Sequence, residues 1–130
     1  SYDVNFPHIP HGIYGNPADM ITGVPIPQPI ISLNNKKEML DRVISSNFAI
    51  LTNESNLDLS ERAKTIVELL DIKTLTIDSN DDSEQRLKTI FEKYIAVLVR
   101  PDKYTYGGVN DISSLSNMIE SLESEFSLNL

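Results

Sequence analysis

Two histidines, His8 and His11, stand three positions apart, a spacing that on a helix brings two imidazoles together and could begin a zinc site. Pro10 and Gly12 interrupt a helix there, and no cysteine or acidic cluster adjoins them, so neither is assigned as a metal ligand. Asp78-Ser-Asn-Asp-Asp-Ser-Glu84 carries the carboxylate density of a calcium loop. An EF-hand needs Gly at its sixth position and Glu at its twelfth, and counting from Asp78 those are Ser83 and Thr89. The segment reads instead as a polar connection ending in a helix cap. Gly12-Ile-Tyr-Gly15 and Gly107-Gly108 match neither GxGxxG after a strand nor GxxxxGK[ST], so no phosphate cradle is assigned. No nucleophile lies beside a base and no carboxylate pair is set for acid–base work. The sequence therefore assigns no catalytic, cofactor-binding or metal-binding residue.

What remains chemically distinctive is Ile95-Ala-Val-Leu-Val-Arg-Pro-Asp-Lys-Tyr-Thr-Tyr106. Ile95 to Val99 is an unbroken run of apolar residues, mostly β-formers, the pattern of a strand buried on both faces. Arg100, Pro101 and Asp102 form a structural turn. Pro101 has no N–H for a ladder, and Arg100 and Asp102 flank it as a local ion pair or Asp-turn hydrogen bond. Tyr104 and Tyr106 alternate with Thr105, so both are expected on one sheet face, serving either core or interface.

The elements that position this hairpin alternate. Lys37 to Val43 reads as a short helix and Asn47 to Thr52 as a strand. Asp58-x-x-Glu61 matches a capping box, opening a helix whose Ala63, Ile66, Val67 and Leu70 share one face. Ile72 to Ile77 is a strand, with Lys73, Thr74 and Thr76 pointing to a sheet edge. Asp81-x-x-Glu84 starts a second helix bearing Leu87, Ile90, Phe91 and Tyr94. After the hairpin, Leu115, Met118, Ile119, Leu122 and Phe126 stripe a last helix. Each strand–helix–strand step implies parallel pairing, and the hairpin adds an antiparallel strand. The order β-α-β-α-β-β-α is an α/β, thioredoxin-like sandwich.

A redox protein of that layout keeps its dithiol after the first core strand, where a helix N-terminus lowers thiol pKa. Here that place reads Asn53 to Ser60, offering Ser55 and Ser60 but no cysteine and no nearby histidine. The cis-proline that precedes the third strand in such proteins is also missing, since Lys93-Tyr94-Ile95 stands there. Dithiol chemistry by this domain is excluded.

Composition narrows the class further. One domain fits in 130 residues, with 40% hydrophobic and 23% charged residues as in ordinary globular proteins. A net charge of −8 disfavours nucleic acid and anionic membrane as partners. Zero cysteines exclude disulfides and fit a reducing, cytoplasmic setting. No apolar run approaches the ~18 residues a membrane span needs, and no secretory leader pattern opens the chain. The first residue is Ser, and the chain is expected to be a piece of a longer protein.

Residues 1–33 form an extended Pro-rich arm, holding six of the seven prolines, and 34–130 the thioredoxin-like domain lacking redox cysteines. Pro25, Pro27 and Pro29 fix φ and bias their predecessors away from helix. Yet the arm also carries Phe6, Ile9, Ile13, Tyr14, Met20, Ile21, Val24, Ile26, Ile30 and Ile31, more apolar residues than a flexible linker has. The arm is expected to pack, on its own domain or on another. Pro25, Pro27, Pro29, Tyr104 and Tyr106 are the candidate interface.

Three segments carry a family resemblance: Gly23-Val-Pro-Ile-Pro-Gln-Pro29, Met39-Leu-Asp-Arg-Val-Ile-Ser-Ser-Asn-Phe-Ala-Ile50 and, most specific, Val97-Leu-Val-Arg-Pro-Asp102. On these the chain resembles the C-terminal part of class A FAD-dependent aromatic hydroxylases, especially 3-(3-hydroxyphenyl)propionate hydroxylases. It departs from their pattern where Ser45-Ser46 replaces a glycine and where Lys103 stands in place of a frequent Gly. The resemblance implies a tail domain without catalytic groups, packing against FAD and substrate domains of a parent chain or supporting a homo-oligomer. It implies no cofactor in this segment, and FAD and NAD(P)H in a parent monooxygenase of phenolic rings. A free-standing, redox-inactive binding module holding a peptide or small molecule near Asn53–Ser60 is the alternative expectation.

Overall fold

The computed structural model describes residues 23, 25–26, 30–33, 36–39, 46–77 and 86–126. Its centre is a four-stranded sheet built from β3 (Ala49–Thr52), β4 (Lys73–Thr76), β5 (Ala96–Val99) and β6 (Thr105–Val109), in the order β4-β3-β5-β6. Three helices are described, α1 (Glu61–Leu69), α2 (Arg86–Lys93) and α3 (Ile112–Glu125). A separate antiparallel pair joins β1 (Ile30–Leu33) to β2 (Lys36–Met39).

The inner strands lie where unbroken apolar runs put them. All four residues of β3 and all four of β5 are buried, whereas β4 alternates half-buried and exposed residues at the sheet edge. β3 and β4 run parallel. The second strand–helix–strand step departs from the expected parallel pairing. β5 passes to the far side of β3 and pairs with it antiparallel, Ile50 opposite Leu98. β5 and β6 form the hairpin, with a register shift between Leu98 and Val99 that leaves Tyr106 as the extra residue.

Two further corrections concern helices. Lys37 to Met39 belong to β2, so the helix expected over 37–43 is not formed there. Pairing with β1 overrides the helix propensity of Lys37 and Glu38, and residues 40–43 lie outside the described ones. The first long helix is capped by Ser60, whose hydroxyl accepts from the Ala63 N–H at 3.1 Å. Asp58 of the expected capping box stands two residues too early. Ser60 is extended at φ −61°, ψ 158° and is therefore the residue whose oxygen reaches the N3 amide. The cap proposed at Asp81, the calcium-like segment up to Glu84, both histidines, Pro27 and Pro29 lie outside the described residues.

The sheet separates two apolar layers. One packs Phe48, Ile50, Ala96, Leu98, Tyr106 and Val109 against Ala63, Ile66 and Leu70 of the α1 region and Leu115, Met118, Ile119 and Leu122 of α3. Phe48 meets the rings of Tyr106 and Phe126 edge-on at 6.4 and 5.6 Å. The other layer packs Ala49, Leu51, Val97 and Val99 with Ile77, Leu87 and Ile26.

Candidate functional site

Where a redox member of this layout would hold its dithiol, the chain closes the sheet with a hydroxyl. Thr52 ends β3 fully buried, and its Oγ1 donates to the Ile95 carbonyl at 2.7 Å. The same oxygen accepts the Glu54 N–H at 3.0 Å. Ile95, at the position of the missing cis-proline, is tied to β6 through its N–H and the Val109 carbonyl at 2.9 Å. No cis peptide occurs among the described residues. Asn53 to Asn56 are exposed, and no histidine among the described residues lies beside Ser55, in a chain without cysteine. Ser60 is committed to structure. Besides capping α1, its hydroxyl donates to Glu120 Oε2 at 2.9 Å and its N–H to Ser116 Oγ at 2.9 Å, joining α1 to α3.

The same helix pair is tied at the surface by Arg62 and Glu123, whose Nε–Oε2 distance is 2.7 Å. The Glu123 carboxylate holds the Arg62 guanidinium above its ordinary pKa. Asp111 caps α3 through the Ser114 N–H at 2.7 Å, and that hydrogen bond holds its carboxyl below the usual carboxylate range. No cluster of three metal-ligating side chains occurs among the described residues. Gly107 and Gly108 lie inside β6, opposite Leu98 and Val97, and not at a strand-to-helix turn. Neither glycine therefore supplies a phosphate-binding turn for a dinucleotide.

The hairpin turn is built as its residue types suggest. The Arg100 carbonyl accepts the Lys103 N–H at 2.9 Å and the Tyr104 carbonyl accepts the Arg100 N–H at 2.8 Å. These two bonds frame a three-residue loop of Pro101, Asp102 and Lys103, whose last position favours a left-handed residue. Lys103 fills it at φ 72°, where glycine would carry no steric cost. Arg100 is buried, and its charge is met by Asp102 in a forked pair, Nε–Oδ1 3.1 Å and Nη2–Oδ2 2.5 Å. Both readings left open for this turn apply, since Asp102 Oδ1 also accepts the Tyr104 N–H at 3.3 Å.

Against this hairpin lie Gly23, Pro25 and Ile26 of the arm. Gly23, at φ 82°, donates its N–H to the Thr105 carbonyl, and Ile26 donates to the Lys103 carbonyl, both at 2.9 Å. Pro25 stands opposite Tyr104 in an antiparallel bridge. In such a bridge Pro25 sits where an N–H would face away from β6, so its missing donor costs no bond. Ile26 is 3% exposed and completes the second apolar layer. Burying that side chain contributes about 1.5–3 kcal/mol, and each backbone bond about 0.5–1.5 kcal/mol net.

The candidate interface residues thus separate. Tyr104 is exposed at 41%, and Pro25 beside it is exposed. Tyr106 is fully enclosed and its hydroxyl meets Ser121 Oγ at 2.8 Å. Burial pushes its pKa up, and the Ser121 hydrogen bond partly offsets that. The bulge between the tyrosines breaks the simple alternation, so the expectation of one shared face is corrected: Tyr106, a candidate interface residue, lies in the core, the other role left open for it. Ile26 was one of many apolar arm residues, with nothing local to single it out. Thr52 is an ordinary strand residue by type. Neither carries a motif.

A family model described as the HcaD C-terminal domain matches residues 23–125. Among curated proteins there is no significant match. Among solved structures the chain is similar to the OxyS anhydrotetracycline hydroxylase from Streptomyces rimosus, at TM-score 0.60 and 16% identity over 85% of this chain. It is also similar to an aklavinone-11 hydroxylase in ternary complex with FAD and aklavinone, at TM-score 0.52 and 15% identity over 73% of this chain. The matches cover 22% and 20% of those two proteins, so the chain corresponds to about a fifth of either.

Proposed function

Since the chain belongs to the HcaD C-terminal domain family, we propose that it is the non-catalytic tail domain of an FAD-dependent aromatic monooxygenase. The observation that carries this reading is the family match over 23–125, which spans the arm's docked segment and the whole four-stranded sheet. The dithiol position supports it: Asn53 to Ser60 carries no cysteine, and Thr52 just before it is tied to Ile95 by a hydrogen bond. The domain's work is packing against the FAD and substrate domains of the parent, or against a second copy. The parent uses FAD and NAD(P)H, works in the cytoplasm and hydroxylates a phenolic ring of the 3-(3-hydroxyphenyl)propionate type. No helix among the described residues is long and apolar enough to cross a membrane.

Two measurements test the reading. The reading frame upstream of the Ser1 codon is expected to encode a strand-GxGxxG-helix motif, and a start codon at that point would refute the tail assignment. The purified chain is expected to carry no flavin, and stoichiometric co-purifying flavin absorbance would show that the domain itself holds the cofactor. A second reading, a free-standing binding module, is favoured by the docking of Gly23 and Ile26 on the chain's own hairpin. Hydrogen exchange separates the two, because a self-contained module protects amides along the whole of 1–33.

A further inference from the structure

The edge of β6 and the turn before it already hold Gly23, Pro25 and Ile26 through an isolated bridge and two main-chain bonds, and the way they hold them defines a site. Contact is made by main-chain bonds at Lys103 and Thr105, which accept an extended segment of almost any sequence. Selectivity comes from one enclosed side chain, Ile26, among Leu51, Leu87, Val97 and Val99. The occupant turns in at Gly23 and presents Pro25 on its outer side. A proline there offers no N–H to a further strand, so the site takes one segment and growth stops.

We propose that this edge is a strand-addition site for an extended, aliphatic-anchored peptide, and that its second occupant is the Gly23–Ile26 segment of another copy of this chain. Two features favour a second copy. The segment seated in the structure is the arm itself, so the same contacts form in cis or in trans. The outward proline ends lateral addition after one strand, so an arm delivered in trans seals the edge as the arm in cis does. The inference stands whether or not the chain is joined to a catalytic body.

The full chain and a fluorescent peptide of residues 21–29 (Ile21 to Pro29) test it. In the native protein the tethered arm competes at high effective concentration. Ile26→Asp, which ejects the arm, is therefore expected to bind the peptide roughly a hundredfold more tightly than the native chain does. The peptide bearing the same Ile26→Asp change is expected not to bind. A folded Ile26→Asp protein without peptide binding overturns the proposal. If that variant does not fold, Ile26→Ala replaces it under the same criterion.

The trans occupant is read with Pro25→Cys/Tyr104→Cys, in a chain with no other cysteine. Paired positions of this kind lie about 4.5 Å apart between Cα atoms, within disulfide reach. Oxidation after refolding from dilute solution is expected to give cross-linked monomer. Refolding from concentrated solution is expected to give cross-linked dimer. Monomer alone at every concentration overturns exchange, and no cross-link in either form overturns the strand pairing.

Discussion

The two faces of the sheet are closed in different ways. The face bearing Phe48, Ile50, Leu98 and Tyr106 is roofed by two helices, α1 and α3, cross-tied by Ser60, Ser116, Glu120 and the Arg62–Glu123 pair. The face bearing Ala49, Leu51, Val97 and Val99 has α2 and one residue from far upstream in the chain, Ile26. The first layer consists of residues between 48 and 126 alone. The second is finished by a strap that reaches it through two main-chain bonds. Among the described residues, the first face is covered from 48–126 alone and the second takes a side chain from the arm.

Substitutions that strike each face unequally would break or sharpen that contrast. The largest effect is expected from Leu98→Ala, which opens a cavity in the helix-roofed layer and costs about 2–5 kcal/mol in urea unfolding. Ile26→Ala should cost about 2 kcal/mol, and Ile26→Asp no more, because release of the strap limits the loss. If Ile26→Asp unfolds the domain as Leu98→Asp would, the two layers are equally integral and the contrast fails.

Thr52→Val comes next. It keeps the shape at the closed end of β3 but removes the bonds to Ile95 and Glu54, for about 1–3 kcal/mol. Flavin or thiol chemistry is not expected to change, since none is assigned there.

Tyr106→Phe should cost about 0.5–1.5 kcal/mol through the lost Ser121 bond, and it carries a pH signature. The folded-state pKa of Tyr106 lies above its ordinary value of 10.0, so the unfolded chain loses this proton first as pH rises. Its contribution is thus fully present below about 10 and is lost as pH climbs through the raised folded value. Melting temperature measured across that alkaline range should fall more steeply for the native protein than for Tyr106→Phe. Equal slopes would show that the hydroxyl does not titrate from the core.

The smallest expected change is a gain. Lys103→Gly removes the steric cost of φ 72° and should stabilise by about 0.5–1 kcal/mol in thermal unfolding, after the greater freedom of glycine in the unfolded chain is subtracted. Peptide binding at the adjacent edge should persist, because the Lys103 carbonyl remains.

Much of this layout was legible in residue order. The buried run from Ala96 to Val99, the Ala63/Ile66/Leu70 face, the edge character of Lys73–Thr76 and the α3 stripe follow from periodicity, and periodicity reports how each segment meets a core. The Arg100-Pro-Asp turn was legible for the same reason, since its geometry depends on neighbours within four positions. Lys37–Met39 was misread as helix because a strand there depends on Ile30–Leu33 as partner, and propensity contains no partner. Tyr106 was misplaced because a bulge inserts one residue and reverses the face of everything before it.

The sequence by itself determined the element order from β3 onward, the buried strands, the turn and the absence of cysteine chemistry, because each depends on local pattern or residue type. Only the tertiary structure decided that β5 lies antiparallel beside β3, that Thr52 closes the sheet onto Ile95, and that Ile26 of the arm packs in the second layer. The first two outcomes join residues 43 and more positions apart, and all three are settled by which surfaces remain uncovered once the local elements have packed.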